Sequence, residues 1–193
     1  GIAGDGRIEI IMGPMFAGKS TELMRRIRRH KLAWRSCVVI KYSSDQRHGE
    51  AQDELSTHDQ VRIKAIPAKN LFDVWDQVQD HDVIGVDEAQ FYPDLVEFCD
   101  RLADMGKMVI LSALDGTFKR EPFGRVLDLV PRAEAVTKLS SVCKLCRREA
   151  SFTRRTTADT QLEAIGGSEM YMPTCRRCHK APIAPDERPE GVR

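Results

Sequence analysis

The stretch Gly13-Pro-Met-Phe-Ala-Gly18-Lys19-Ser20 decides the fold, because it fits the phosphate-binding pattern G-x-x-x-x-G-K-[ST] at every fixed position. An apolar segment of strand length, residues 7–12, precedes it, and a segment with helical periodicity, residues 20–34, follows it. In such a turn, backbone N–H groups face phosphate oxygens, and the helix N-terminus adds partial positive charge. We expect Lys19 to reach the β- and γ-phosphates of a nucleotide and the Ser20 hydroxyl to coordinate Mg²⁺. A chance glycine-rich turn is the weaker alternative.

Strands and helices alternate on the C-terminal side of this loop. In the first helix, Leu23, Ile27 and Trp34 are predicted to share the buried face. Asn70 is predicted to cap the second helix, and Pro67 to end the strand before it. Residues 43–60 are polar without periodicity and predict a long functional loop. The predicted strands are 7–12, 36–42, 61–66, 83–86 and 107–114, and the predicted helices are 20–34, 70–78 and 94–105. This order predicts an α/β fold, with a P-loop parallel sheet and crossover helices, that binds ligands at the carboxyl ends of its strands.

The strand at residues 83–86 ends in two acids, Asp87 and Glu88. In phosphate-loop proteins, a carboxylate at the end of an apolar strand beside the loop is the usual second ligand of Mg²⁺. Asp87 is therefore predicted to hold the metal. An aspartate that only caps a helix is the alternative. Glu88 could polarise a water molecule in an ATPase or deprotonate a substrate hydroxyl in a kinase, and its position alone does not choose between them.

Composition describes an ordinary folded protein with an uneven charge distribution. The 193 residues are 41% hydrophobic and 31% charged, and 30 basic against 29 acidic residues leave a net charge of +1. Apolar runs are no longer than strands, and no signal segment opens the chain, so neither a membrane span nor secretion is expected. Residues 138–180 carry nine Lys or Arg and four acids, a charge of +5 that leaves −4 elsewhere. We predict three regions: a nucleotide-binding α/β domain (1–137), a basic lobe that contains four of the six cysteines (138–180) and a disordered tail (181–193).

Four of the six cysteines form two C-x-x-C pairs, Cys143-Lys-Leu-Cys146 and Cys175-Arg-Arg-Cys178, separated by 28 residues. Two such pairs supply four thiolates for a structural zinc ion, and the segment between them becomes a loop held at its base by the metal. Redox-active pairs are the alternative, and His179 is a substitute ligand. Cys37 and Cys99 lie in strand and helix patterns and are predicted to be core thiols.

A basic helix, Arg25-Arg26-Ile27-Arg28-Arg29-His30-Lys31, raises the possibility of nucleic-acid binding. No aromatic residue is interleaved for base stacking, so a solvated or subunit-facing surface is favoured. A P-loop ATPase or motor and a zinc-ribbon nucleic-acid-binding protein remain open as function classes.

Together these motifs resemble the type II thymidine kinases, the cytosolic-type, zinc-containing family of deoxynucleoside kinases. The similar stretches run from about residue 6 to residue 180. Besides the phosphate loop and both cysteine pairs, they are Val-Ile-Lys-Tyr at 39–42, Asp-Glu-Ala-Gln-Phe at 87–91, Ala-Leu-Asp-Gly-Thr-Phe at 113–118, Pro-Phe-Gly at 122–124 and Ile-Gly-Gly at 165–167.

The resemblance implies a transferase of nucleotide salvage and DNA synthesis. It would use ATP and Mg²⁺ to phosphorylate thymidine, and also deoxyuridine, at the 5′-hydroxyl, and it would carry one structural Zn²⁺. Glu88 matches the general base, Asp45 contributes to the Mg²⁺ site through water, and Arg47 steadies the phosphoryl group. The nucleotide- and Mg²⁺-binding positions implied are Gly13, Pro14, Met15, Phe16, Ala17, Gly18, Lys19, Ser20, Asp45, Gln46, Arg47, Asp87, Glu88, Ala89 and Gln90.

The resemblance also implies a nucleoside pocket. Met15 and Thr153 match residues around the methyl group of the base, and Tyr171 would close over sugar and base. The apolar and stacking walls match Phe91, Leu114, Phe118 and Phe123, and the lasso whose backbone reads the edge of the base matches Leu162, Glu163, Ala164, Ile165 and Gly166. By analogy with the family, we expect a cytoplasmic homodimer or homotetramer with thymidine triphosphate as feedback inhibitor, and no membrane or nucleic-acid partner.

Overall fold

A computed structural model describes residues 5–43, 54–56, 62–156 and 170–182. The strands are β1 (Arg7–Met12), β2 (Cys37–Tyr42), β3 (Glu54–Ser56), β4 (Arg62–Lys64), β5 (Ile66–Ala68), β6 (Val83–Val86), β7 (Met108–Ala113), β8 (Ala135–Lys138), β9 (Ser141–Val142), β10 (Glu149–Ala150), β11 (Phe152–Arg155) and β12 (Tyr171–Thr174). The helices are α1 (Lys19–Leu32), α2 (Trp75–Val78), α3 (Leu95–Asp104), α4 (Val126–Leu129) and α5 (Arg176–Lys180), and 3₁₀ turns occupy Leu71–Val74, Ala89–Phe91 and Val130–Arg132.

Six strands form one parallel sheet in the order β5-β2-β6-β7-β1-β8. This confirms the predicted α/β class. All four residues of β6 are buried, as expected for an inner parallel strand covered on both faces. Because the strands are parallel, the carboxyl ends of β1, β6 and β7 lie at one edge of the sheet, where the phosphate loop and Asp87 both begin.

The apolar core lies on both faces of this sheet. Side chains alternate along β1, so Ile8 and Ile10 belong to the cluster that includes the buried residues of α3, and Ile11 belongs to the cluster beneath α1. Gly85 in β6 permits the close approach of α1, because a Cβ atom there would lie 3.2 Å from the Ile27 side chain. The first helix is thereby held firmly above the strands that carry the site.

The predicted buried position of Trp34 is wrong. Leu23 and Ile27 are buried as expected, but α1 ends at Leu32 and Trp34 is 97% exposed. The chain leaves the helix at Ala33, whose N–H donates to the carbonyl groups of Arg29 and His30, and Trp34 then adopts a left-handed φ of +60°. This local turn ended the helix before its periodicity could bring the indole to the core.

Three further local predictions differ from the structure. Pro67 does not end a strand: it lies within β5 and pairs with Lys41 of β2, which is tolerated because β5 is an edge strand. Asn70 makes no side-chain cap, since its amide donates to the Asp73 carboxylate at 3.2 Å and the segment begins as a 3₁₀ turn. Part of the predicted loop at 43–60 is strand, because β3 pairs with β4 in antiparallel fashion.

A small lobe follows the sheet. Its two hairpins, β9–β10 and β11–β12, are joined by a hydrogen bond from the Lys144 N–H to the Pro173 carbonyl oxygen at 3.0 Å. Within the described residues, its buried cluster consists of Cys143, Ala150 and Cys178, with Leu145, Cys146 and Cys175 packed around them. A cluster of this size contributes little apolar stabilisation, and a bound metal would add to it. No helix in the described part of the chain is long and apolar enough to cross a membrane.

The two tryptophans provide a stability test of this fold. Trp75 packs against the rings of Phe72 and Phe98, with centroids 5.5 Å and 5.6 Å away, and the Arg101 guanidinium lies 4.5 Å above it. We expect Trp75→Ala to lower the free energy of unfolding by about 2–4 kcal/mol because it leaves a cavity in this cluster. Trp34→Ala, the matched control at an exposed indole, should change it by less than about 0.5 kcal/mol. Urea unfolding measures both, and equal losses would contradict the helix end seen here.

Candidate active site

The phosphate loop joins β1 to α1 as predicted. Gly13 and Gly18 adopt positive φ values of +150° and +78°, which side chains rarely tolerate. At Gly13 a Cβ atom would also lie 2.5 Å from the Leu139 carbonyl oxygen, so both conformation and space require glycine. Lys19 is the first residue of α1, and its ammonium group donates to the Pro14 carbonyl oxygen at 2.7 Å. This bond folds the lysine over the loop, where an anion would lie against the helix N-terminus.

Burial and three carboxylates shift the pKa of Lys19 in opposite directions. Burial lowers the pKa of Lys19 to about 8, and the negative charges of Asp87, Asp115 and Glu88 act in the opposite direction. Asp115 is itself paired with Lys138 at 2.7 Å. The site therefore combines a desolvated ammonium group with acidic groups suited to a cation, as binding of a metal–nucleotide complex requires.

Asp87 is buried at the end of β6, with 4% of its surface exposed. Its Oδ1 accepts a hydrogen bond from the Ser20 hydroxyl at 2.9 Å and a second, shorter one from the Ser112 hydroxyl. Burial raises the pKa of Asp87, and the two hydroxyl groups oppose that rise. A serine hydroxyl and a carboxylate in contact beside a phosphate loop are the donor set that Mg²⁺ takes from proteins of this kind, so the residues present fit the ion.

Ser112 is a functional neighbour that the sequence analysis missed. It lies in β7, which is parallel to β6 and adjacent to it, and it is 1% exposed. The only signal in the sequence was a hydroxyl residue within the apolar run of residues 108–114. A buried polar side chain in a strand needs a partner, and the neighbouring strand end supplies one in Asp87.

Glu88 follows in a left-handed conformation, with φ 51° and ψ 43°, and its side chain is exposed. A residue other than glycine in that region stores strain, which the 3₁₀ turn Ala89–Phe91 accommodates. The backbone thus reverses between two acids: the first carboxylate is buried among hydroxyl groups and the second is open to solvent and substrate. Such a pair can hold a metal with one acid and exchange a proton with the other.

Gln90 is buried and connects two parts of the predicted nucleoside site. Its Oε1 accepts a hydrogen bond from the Leu114 N–H at 3.0 Å. Gly124, with φ +55°, lies so close that a Cβ atom there would be 2.2 Å from the Gln90 carbonyl oxygen. Gln90 therefore fixes the end of β7 to the turn after β6. Ala89 beside it is also fully buried.

Several predicted pocket residues are brought together. The Phe91 ring lies 5.5 Å from the Phe123 ring in an edge-to-face arrangement, and 4.8 Å from Tyr42, which the sequence analysis did not include. The Met15 N–H donates to the Thr153 hydroxyl at 3.0 Å, so the two residues predicted around the base methyl are in contact. This bond also joins the phosphate loop to the small lobe.

Two more bonds join the lobe to the same site. The Ser141 hydroxyl donates to the Phe16 carbonyl oxygen at 2.9 Å, and the His179 ring lies with Nε2 3.1 Å from the Phe118 carbonyl oxygen. Phe118 and Tyr171 both contact the buried side chain of Arg155. The remaining predicted site residues lie outside the described part of the chain: Asp45, Gln46, Arg47, Leu162, Glu163, Ala164, Ile165 and Gly166.

The four predicted zinc ligands converge. The Sγ atoms of Cys143, Cys146, Cys175 and Cys178 all lie within 4.8 Å of one another, and those of Cys146 and Cys175 are 3.6 Å apart. Zn–S bonds of about 2.3 Å in a tetrahedron place sulfur atoms about 3.8 Å apart, so the cluster has the size and donor set for zinc. His179 is directed to Phe118 and is not part of this cluster.

Three of these thiols have shifted pKa values. Hydrogen bonds from the backbone and side chain of Arg148 lower the pKa of Cys146 to about 6, and the Cys178 N–H lowers that of Cys175. Burial raises the pKa of Cys178 to about 12, and a bound cation would favour its thiolate form. Cys99 is fully buried in α3 and Cys37 is half-buried in β2, apart from this cluster.

Comparisons with known proteins agree with this site. A family model described as "Thymidine kinase" matches residues 6–179. The thymidine kinase of Variola virus is 53% identical over 174 residues, which cover 90% of this chain and 97% of that protein. Those of Vaccinia virus (strain Ankara) and Monkeypox virus are 52% and 51% identical over the same shares. Among solved structures, flagellar accessory protein FlaH from Methanocaldococcus jannaschii matches with a TM-score of 0.44 at 18% identity, covering 82% of this chain and 75% of that chain, too low a likeness to support an argument.

The cysteine cluster predicts a metal requirement. We expect purified wild-type protein to hold about one zinc ion per chain, and Cys143→Ser to lose most of it because three thiolates bind the ion far more weakly than four. Cys37→Ser is the control, since that thiol lies outside the cluster. Metal content and thermal unfolding measure the effect. A Cys143→Ser protein with wild-type zinc and wild-type melting would contradict the assignment.

Proposed function

The chain belongs to the thymidine kinase family and is an enzyme that phosphorylates thymidine, and we propose that it does so by transferring the γ-phosphoryl group of ATP to the 5′-hydroxyl with Mg²⁺. The contact of the Ser20 hydroxyl with buried Asp87, beside the desolvated ammonium group of Lys19, carries this proposal. It joins a phosphate-binding loop to a metal-binding acid at one edge of the sheet. Glu88 follows Asp87 directly, is exposed, and would be the base for the acceptor hydroxyl.

On the phosphate side the protein would work by position and charge. Backbone N–H groups of the loop from Gly13 to Ser20 would bind phosphate oxygens, and the Lys19 ammonium would neutralise the β- and γ-phosphates. Ser20 and Asp87 would hold Mg²⁺, which supplies further positive charge to the transferring group. The family resemblance adds Asp45 and Gln46 to this side, and it adds Arg47 as the residue that steadies the phosphoryl group.

On the acceptor side, Glu88 would accept the proton of the 5′-hydroxyl as the oxygen attacks phosphorus. Its exposed carboxylate stands next to Asp87, whose own oxygen is occupied by two hydroxyl donors. The two acids therefore have different environments and different tasks, which is the arrangement expected of a metal ligand and a base. Exclusion of water would direct the phosphoryl group to the nucleoside instead of to solvent.

The nucleoside pocket would be built from both parts of the chain. Phe91, Leu114, Phe118 and Phe123 would be its apolar walls, Met15 and Thr153 would surround the base methyl, and Tyr171 would cover sugar and base. The backbone of residues 162–166 would read the polar edge of the base. Because backbone groups read that edge, deoxyuridine would be accepted and a cytosine base would leave donors unpaired.

Further properties follow from the family resemblance. We propose that zinc stabilises the lobe at 138–180, which closes over the ATP-binding domain at 1–137, and that the tail at 181–193 belongs to neither. We also propose a cytoplasmic homodimer or homotetramer in nucleotide salvage, inhibited by thymidine triphosphate, with no nucleic-acid partner. Gel filtration tests the oligomeric state, and turnover measured with and without thymidine triphosphate tests the inhibition.

Removal of the proposed base tests the mechanism. Glu88→Gln keeps the size of the side chain and removes its capacity to accept a proton, so we expect turnover to fall by roughly 10²–10⁴-fold. ATP binding should stay within about twofold of wild type, because the phosphate loop is intact. The control is Glu97→Gln, an exposed acid paired with Arg125 at 2.7 Å. Thymidine-dependent ADP release measures turnover, and hydrolysis of ATP without thymidine at the same rate would indicate an ATPase instead.

Nucleoside selectivity tests the pocket. A methyl group in an apolar cleft contributes about 1–3 kcal/mol, so kcat/KM for thymidine should exceed that for deoxyuridine by roughly 10- to 200-fold. Met15→Ala should narrow this ratio, because it removes packing next to the methyl group. Its KM for ATP should change little, because the Met15 side chain is not among the groups proposed to bind phosphate or Mg²⁺. An unchanged thymidine-to-deoxyuridine ratio in Met15→Ala would remove Met15 from the methyl pocket.

A further inference from the structure

We propose that Arg155 is a positioning residue for the nucleoside, which holds Phe118 and Tyr171 in place and thereby sets the affinity for thymidine. The proposal rests on the proposed function, because that function places these two rings in the nucleoside pocket. Arg155 itself is neither part of the phosphate loop nor one of the four zinc ligands.

The side chain of Arg155 contacts both rings at once. Its guanidinium carbon lies 4.3 Å from the centroid of Phe118 and 5.2 Å from that of Tyr171. Its Nη2 also donates to the Tyr171 hydroxyl at 2.6 Å. Only 7% of Arg155 is exposed, so these cation–π contacts are desolvated and strong. A planar guanidinium can lie over two rings while donating in its own plane, which the compact ammonium of lysine cannot do.

The backbone places Arg155 at the base of the segment that carries the predicted base-reading residues. Arg155 ends β11, Tyr171 begins β12, and the two are direct cross-strand partners. The Thr156 N–H donates to the Met170 carbonyl oxygen at 2.9 Å, which closes the ladder one residue further on. Residues 157–169 connect these strands in sequence. Arg155 thus contacts one ring at the start of β12, Tyr171, and one ring on the loop after β7, Phe118.

The same face of β11 carries a second contact with the nucleoside site. Thr153 and Arg155 are both buried and two residues apart, so they lie on one side of the hairpin. Thr153 accepts from the Met15 N–H, while Arg155 contacts Phe118 and Tyr171. Neither ring belongs to the phosphate loop. Loss of Arg155 should therefore disturb nucleoside binding and leave the ATP site nearly intact.

Steady-state kinetics with two substitutions test this. In Arg155→Gln we expect KM for thymidine to rise about tenfold or more, the loss expected for a buried charged hydrogen bond. KM for ATP should stay within about twofold, and zinc content should be unchanged. Arg155→Lys retains the charge and should give an intermediate KM. Arg177→Gln, at an exposed arginine of α5 in the same lobe, is the matched control and should behave as wild type.

A double-mutant cycle with Tyr171→Phe isolates the contact. If Arg155 acts through the Tyr171 hydroxyl, Arg155→Lys should raise the thymidine KM less in the Tyr171→Phe background than in the wild-type background. Additive effects overturn the proposal, as does a lysine variant with wild-type KM, since charge alone would then suffice. Equal losses of thymidine affinity, ATP affinity and zinc content in both variants also overturn it, because they show a role in lobe stability alone. A wild-type enzyme without thymidine turnover overturns the proposed function and this proposal together.

Discussion

The buried carboxylate of Asp87 is the constraint on which the rest of the site depends. Burial of an acid costs free energy unless donors or a cation compensate it, and here two hydroxyl groups converge on one of its oxygens. These hydroxyls come from Ser20 at the start of α1 and Ser112 in β7. The buried acid is therefore stabilised where α1, β6 and β7 meet. That requirement fixes the phosphate loop, the end of β6 and the end of β7 relative to one another.

The small lobe depends on a different interaction, the convergence of its four cysteines. Within the described residues its buried cluster consists largely of these sulfur atoms, which could hold a zinc ion, and a bound ion would add stability to the lobe. Three hydrogen bonds then connect the lobe to the site: Thr153 with Met15, Ser141 with Phe16 and His179 with Phe118. His179 directly follows Cys178, so one peptide bond and the contact of the His179 ring with the Phe118 carbonyl oxygen connect a predicted zinc ligand to a predicted pocket residue.

The sequence predicted what short-range chemistry specifies. The phosphate loop, the acids after β6 and the cysteine pairs each need fixed residue types at fixed spacing, and all three appear as expected. It failed where tertiary contacts or local backbone decide. Periodicity cannot show that a left-handed turn removes Trp34 from the helix, nor that Pro67 is harmless on an edge strand. Ser112 and Arg155 carry no motif, because their roles arise only when distant strands bring them beside Asp87 and Tyr171.

The hydrogen bonds to Asp87 and the cysteine cluster of the lobe stabilise two separate parts of the enzyme. The phosphate side is built on a parallel sheet with an apolar cluster on each face, so its geometry is fixed by the fold as a whole. In the proposed function, the nucleoside side would be built partly on the lobe, whose β11–β12 hairpin contains Thr153, Arg155 and Tyr171. Changes in the lobe would then alter affinity for the nucleoside without altering the chemistry of transfer, because Asp87 and Glu88 directly follow β6 of the sheet. A kinase that must hold one nucleotide and select one nucleoside gains from this separation, since each requirement is met by its own set of contacts.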